Sequence, residues 1–526
     1  MNKKILLTGI LSLAICFTVK TQSLDETMTV AAGTAVSIAS GTTLNASNVN
    51  LKSTSDKYAC LLLNGDIGSS TIVNYDRYVN VVGTSGVNGG NDLVSLPVKA
   101  AENVTFSDLL SYSADEGVTP NSDIIVNSPS VATLYGFGPY DNVASSYINY
   151  DSAQNGTTVL NKGVGYRAAT DTGQTLRFTG KVSNTTETVD ISTGGNYWNL
   201  VGNPNPTYLN SQTFLNVNES ILDDNAVAIY GYNSGTESGI GTIGNFTIIN
   251  RLTHLDVNIA PGQGFFVANK GTSTNTLSFT TAMRTIEGTD DFILGRDSDQ
   301  NYMLRLKAER GTANFATEIY FNNNSTSGLD PGYDAALFSG TASSFLLYSQ
   351  LVDNNVGRNM AIQSLGLSNL NDINIPIGIK TTQGQQVTFS IENSTLPTDV
   401  DIYLEDNQNN TFTLLNSENY SFTANTAING TGRFFLRFSN STLSTNNQES
   451  SSLALYTSER IIHINGLLLA DSKVSVYDVQ GRLVLTGFLA EGSDTNTIDA
   501  SYLRSGVYIV NLNGSQQLLN KKIIIN

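Results

Sequence analysis

Val474-Ser475-Val476-Tyr477-Asp478-Val479-Gln480-Gly481-Arg482-Leu483-Val484 is the stretch from which the architecture reads outward. Apolar residues alternate on both sides of Asp478-Val479-Gln480-Gly481. Val, Tyr and Leu suit a pleated, half-buried surface, and Gly481 supplies the positive φ that a tight turn needs. The stretch therefore predicts a hairpin. Leu503-Arg504-Ser505-Gly506-Val507-Tyr508-Ile509-Val510-Asn511-Leu512 follows as a turn feeding a strand. Lys521-Lys522-Ile523-Ile524-Ile525 reads as a final strand with basic residues at its start. Together they predict a small antiparallel, immunoglobulin-like β-sandwich over 453–526.

The same period of two runs through the rest of the 526 residues, so the expected class is all-β and multidomain. Residues 23–75 alternate short apolar pieces with Gly33, Gly41 and Gly65, the beat of a short β-helix or β-roll. Cys60 stands in one apolar piece and is expected in the core. Residues 76–195 and 196–290 read as two copies of one β-rich unit. Asn91-Asp92-Leu93-Val94-Ser95-Leu96-Pro97 answers Trp198-Asn199-Leu200-Val201-Gly202-Asn203-Pro204. Thr133-Leu134-Tyr135-Gly136-Phe137 answers Ala228-Ile229-Tyr230-Gly231-Tyr232, and Gly163-Val164-Gly165-Tyr166-Arg167-Ala168 answers Gly262-Gln263-Gly264-Phe265-Phe266-Val267. Residues 291–440 carry dense strands and predict a β-sandwich. Residues 441–452 are Ser, Thr, Asn, Gln and Glu apart from Leu443, without apolar pattern, a linker where the last module is expected to be cut off.

Net charge is −17, from 28 basic and 45 acidic residues. In 453–526 six acidic residues (Glu459, Asp471, Asp478, Glu491, Asp494, Asp499) balance six basic ones (Arg460, Lys473, Arg482, Arg504, Lys521, Lys522), so the acidity lies upstream. Such a surface repels nucleic acid, which is not an expected partner. Only 14% of residues are charged, a composition of exposed strands and turns rather than of a helical cytosolic enzyme. Lys3 and Lys4 followed by an apolar run over 5–19 predict a signal peptide over 1–22. Leu13-Ala14-Ile15-Cys16 suggests a lipoprotein instead, but Ile15 fills the place of a small residue. No other segment is long and apolar enough to predict a transmembrane helix. Removal of Cys16 leaves Cys60 alone, so no internal disulfide is expected.

The ordered trio of VxVYDxxGRLV, LxxGVYIV and a terminal KKIII resembles the type A C-terminal sorting domain of the type IX secretion system of Bacteroidetes. The resemblance covers about 455–526 and rests on Tyr477, Asp478, Gly481, Arg482, Gly506, Tyr508, Lys521 and Lys522 as the sorting signal. Family members often end on a basic residue, whereas this chain ends on Asn526. The resemblance implies export, the secretion machinery as partner, and a secreted or cell-surface location. WNLVGNPNP over 198–206 and IAPGQGFFV over 259–267 resemble an uncharacterised β-rich region of large surface proteins with the same sorting domain.

Catalytic chemistry has few carriers. There are two histidines, His254 in a loop and His463 on a strand, and neither HExxH nor GxSxG occurs. Paired carboxylates such as Asp330 with Asp334, Asp399 with Asp401, or Glu405-Asp406 leave a secreted carbohydrate hydrolase as the alternative reading. No cofactor motif is present. Calcium is the one ion the Asp pattern suggests, at Asp297 and Asp299 or at Asp330 and Asp334, although turn chemistry already accounts for Asp330-Pro331-Gly332. For a glycan or protein ligand the candidates are Tyr135, Phe137, Tyr140, Tyr147 and Tyr150, an aromatic stretch that would have to face solvent. The leading expectation is an exported, non-catalytic, adhesive, binding or structural protein. Intact-mass analysis of the surface or medium form should show loss of the first twenty-odd residues and of a C-terminal piece starting within 440–455. A periplasmic form with an intact C-terminus would reverse that expectation.

Overall fold

The computed structural model describes residues 27–80, 91–98, 104–112, 118–232, 246–288 without 254 and 256, 302–338, 344–353, 357–440 and, with short gaps, 454–525, plus the backbone of Ile5–Leu7. Contacts divide the chain into two compact units, 1–441 and 442–526. The chain is mostly β, in several sheets. The expected signal peptide lies outside the described residues apart from Ile5–Leu7, and so does the expected linker.

The N-terminal pieces stack as rungs. Thr27–Val30, Asn48–Leu51 and Ile72–Val79 pair in parallel. Ala35–Ile38 pairs in parallel with Cys60–Leu63, and Thr43–Leu44 with Asp66–Ile67. Val30, Val49, Leu51, Leu61, Val73 and Tyr75 fill the space between the rungs. Ile72–Val79 also pairs antiparallel with Gln174–Gly180, so the last rung opens the next part of the fold.

That part holds two sheets of identical strand order. The first runs Ser146–Tyr147, Phe137–Asp141, Gly165–Ala168, Asp92–Ser95; the second runs Phe246–Ile249, Ile229–Tyr232, Gly264–Ala268, Trp198–Gly202. All pairings are antiparallel. Each first strand is followed by a short helix, Phe106–Ser111 or Ser211–Asn218. Thr105 caps one in a capping box with Asp108, and Asn210 caps the other. Helices this short escape a reading by 3.6-residue period. One internal equivalence shifts: Tyr230 lies opposite Phe266 and Gly138 opposite Arg167, so 137–140 corresponds to 229–232. The Tyr-Gly-aromatic match sets 135–137 against 230–232; Tyr135 instead sits in an isolated bridge ahead of the strand.

The two sheets meet with reciprocal contacts. Ser95 N donates to Gly262 O at 2.8 Å, and the equivalent Gly202 N donates to Gly163 O at 2.9 Å. Val94 bridges Gln263, and Val201 bridges Val164. Backbones approach so closely that a Cβ on Gly264 would lie 2.7 Å from Leu93 C. One on Gly165 would lie 2.7 Å from Val201 O. Glycine is required at both positions because side chains cannot yield where backbone blocks them.

Residues 302–440 differ from the expected sandwich. Ten strands of one sheet curl into a nearly closed barrel, and an eleventh, Ala335–Ala336, pairs at its side. Its end strands, Thr411–Leu414 and Tyr420–Thr423, are near neighbours in sequence. Leu304, Ile319, Phe321, Ile375, Phe389 and Leu436 face its interior. Met303, Tyr320 and Ile362 face outward onto Trp198, Tyr230 and Phe266 of the second sheet. Strand density and alternation are the same for a sandwich and a barrel; which strands pair is a tertiary property. Asp406 helps close the seam, accepting from Tyr420 Oη at 2.6 Å and from Arg433 Nη2 at 2.7 Å. Arg433 lies over the rings of Phe422 and Phe434. Burial pushes the Asp406 carboxyl up, but Arg433 and Tyr420 outweigh it and hold the group below the usual carboxylate range.

The C-terminal unit has the expected sandwich form. Ala454–Ser458, Ile461–Asn465 and Thr495–Asp499 make one sheet; Leu483–Leu489, Ser472–Asp478, Gly506–Gly514 and Leu518–Ile525 make the other. Leu455, Ile462, Ile464, Val474, Val476, Val510 and Leu512 form its core.

Gly264→Ala and Gly165→Ala should each destabilise the protein by about 2 kcal/mol, because overpacking here meets backbone. Gly328→Ala, with no neighbour nearer than 3.7 Å, should stay within about 0.5 kcal/mol of wild type. Denaturant unfolding of the three variants checks this; equal losses at all three would refute the seam.

Candidate functional site

The aromatic stretch does not form one platform, because strand alternation sends its members to opposite faces. Phe137 and Tyr150 are buried, and Tyr135 packs beside them. Their rings surround Phe106 of the capped helix, at centroid distances of 5.6 Å for Phe137, 5.2 Å for Tyr150 and 5.8 Å for Tyr135. These three are core. Tyr140 and Tyr147 point to the other face, in T-shaped contact with each other at 5.6 Å. Tyr140 lies 5.0 Å from Phe266 of the second sheet. Burial pushes the Tyr147 hydroxyl well above its ordinary range and raises Tyr140 less.

Arg167 completes this outer face. Its guanidinium lies over the Tyr147 ring, 4.7 Å from the centroid, and donates to Asn149 Oδ1. Sequence reasoning quoted Arg167 within the repeat without singling it out. The signal was the mismatch itself, since Phe266 holds the equivalent place in the second copy. Trp198 is buried against Tyr230 at 4.7 Å and Phe338 at 4.9 Å. Cys60 is buried as expected, and burial pushes its thiol up to about 12, against a weaker backbone hydrogen bond from Tyr208. A thiol so held is a poor nucleophile.

Of the carboxylate candidates, Asp297 and Asp299 lie outside the described residues, as does His254. Asp330 accepts from Thr326 N at 2.6 Å. Asp334 is fully buried and accepts from Asp330 N at 2.7 Å, Ser364 N at 2.6 Å and Ser364 Oγ at 3.0 Å. The pair thus braces the 326–334 loop against the strand Met360–Gly366. Glu405 pairs with Arg437 at 2.6 Å and Asp406 with Arg433. Among the described residues no three His, Cys, Asp or Glu gather closely enough to hold a metal.

In the C-terminal unit the signature residues serve local geometry. Asp478 accepts from Arg482 N at 3.0 Å and from Arg482 Nε at 2.7 Å, which staples the hairpin turn. Tyr508 is buried and donates to Arg504 O at 2.8 Å. Gly506 starts the strand that carries Tyr508. Tyr477 is half-buried, and Lys521 and Lys522 stand exposed on the last strand. Gly481 lies outside the described residues. His463 stacks on Tyr456 at 4.8 Å.

Two families match the chain. A domain of unknown function, DUF8693, covers residues 11–438, and a secretion system C-terminal sorting domain covers residues 458–526. No curated protein matches. Among the described residues no helix is long and apolar enough to cross a membrane.

Asp334 yields a test of the loop brace. Burial raises its carboxyl from 3.8 to about 7, against the hydrogen bonds it accepts. The folded state then holds its proton more tightly than the unfolded state. Its contribution to stability is full below about pH 4 and is lost as pH rises to about 7, at no more than about 1.4 kcal/mol per pH unit. Unfolding of wild type and Asp334→Asn across that window should give a falling profile for wild type and a flatter one for the variant. Parallel profiles would refute the assignment.

Proposed function

The chain belongs to the DUF8693 family and ends in a secretion sorting domain, and from that premise we propose that 27–440 is a non-catalytic binding or structural body displayed outside the cell. The carrying observation is the order of the parts: an acidic, packed β-body followed by a separate compact unit that matches the sorting domain. The sorting domain implies engagement with the type IX secretion machinery and secretion or surface attachment.

The state of the polar groups supports a body that binds rather than reacts. Glu405 and Asp406 are tied to arginines, and Asp330 and Asp334 to backbone and serine groups. A general acid or base has to be free to exchange a proton with substrate. The ligand reading falls on the outer face around Tyr140, Tyr147 and Arg167, where hydroxyls, an amide and a guanidinium are brought together. Tyr135, Phe137 and Tyr150 drop out of it as core residues.

Fractionation of source cells tests the export half. Full-length chain should reach the surface or the medium, and a chain ending at residue 452 should stay in the periplasm. Incubation of the released protein with a polysaccharide panel tests the binding half. Retention without turnover is expected. Turnover abolished by a single Asp→Asn change would establish a hydrolase instead.

A further inference from the structure

The two copies of the repeated unit differ at one place that symmetry makes easy to compare. On the outer face of the second sheet, Leu200, Phe266 and Tyr230 form one cross-strand row. The equivalent row of the first sheet is Leu93, Arg167 and Gly138. Phe266 is fully buried, with Phe338 of the barrel at 4.7 Å and Tyr140 at 5.0 Å. Its position calls for an apolar ring, and it has one. Arg167 occupies the matching position with a charge.

That charge is poorly compensated. Among the described residues Arg167 has no carboxylate partner, although Arg177, Arg251, Arg305, Arg358, Arg433 and Arg437 each have one. It donates to Asn149 Oδ1 and stacks on Tyr147. Its Nε is buried with no hydrogen-bond partner. Burial lowers its affinity for the proton, and the hydroxyls of Tyr147 and Tyr232 lie close enough to act on it electrostatically. A carboxylate brought to the guanidinium would supply the counter-charge it lacks.

The geometry points to a binding site for the carboxylate of an acidic sugar, with Arg167 as its anchor and Tyr140, Tyr147 and Asn149 around it. Guanidinium and carboxylate match as a planar, two-bond pair. The Asn149 amide suits the ring hydroxyls of a uronate better than the alkyl chain of an acidic peptide. This rests on the reading of 27–440 as a binding body and adds the class of ligand.

The test is calorimetric titration of the mature secreted protein with trigalacturonate, with the neutral trigalactoside and with triglutamate. The acidic sugar should bind, and should bind more weakly as salt is raised. Arg167→Gln should weaken it by about tenfold or more, with a single cooperative melting transition retained. If Arg167→Gln fails to fold, Arg167→Lys should retain the fold and still lose affinity, since it cannot form the planar pair. Absence of trigalacturonate binding, equal affinity for the neutral sugar or for triglutamate, or unchanged affinity in the variants would overturn the proposal. Wild type and Arg167→Gln retained equally on cells would overturn it too, while leaving the binding reading intact.

Discussion

The reciprocal backbone contact between the two repeated sheets is the constraint on which the rest of the main unit depends. Ser95 with Gly262 and Gly202 with Gly163 are the same hydrogen bond made twice, once in each direction. An arrangement of that kind is what a symmetric dimer interface looks like when both partners are in one chain. Gly165 and Gly264 make it sterically possible, because their missing side chains admit the partner backbone. The Gln263 amide then closes the centre, donating to Leu93 O at 3.2 Å and accepting from the buried Arg77 on the last rung of the N-terminal stack. One contact therefore ties three parts of the fold together.

From this seam the two sheets present outer faces with different fates. The second is sealed by the barrel through Trp198, Tyr230, Phe246, Phe266 and Phe338, and Tyr230 donates to Ala336 O at 2.7 Å. Aromatic pairs of this geometry add about 0.5–1.5 kcal/mol each beyond their buried area. That outweighs the partly exposed Arg358–Asp223 pair beside them, since such pairs contribute about 0–1 kcal/mol. The barrel in turn depends on a buried ion pair at its own seam, Asp406 with Arg433. Loss of one partner from such a pair costs about 3–5 kcal/mol. The first sheet keeps Arg167 on its outer face.

The secretion unit follows different rules. Its signature residues are mostly turn and strand-end residues: Asp478 and Arg482 staple a hairpin, and Tyr508 pins the chain to Arg504 O. The pattern that resembled a sorting domain is therefore also the pattern that folds it. That is why the motif could be read so directly, and why the match over 458–526 agrees with the module read from the hairpin outward.

By itself the sequence determined the local rules: the period of two, the turns, the stacked N-terminal pieces, the burial of Cys60, and the C-terminal module. These depend on neighbours within a few residues, so they are written in short windows. The tertiary structure decided everything that depends on distant partners. It curled the strands of 302–440 into a barrel, since alternation does not say which strands pair. It set the register of 137–140 against 229–232, because a three-residue motif match carries no hydrogen-bond information. It also divided five neighbouring aromatics between two clusters, Tyr135, Phe137 and Tyr150 around Phe106 and Tyr140 and Tyr147 against Phe266, the latter beside an arginine that only the fold brings to them.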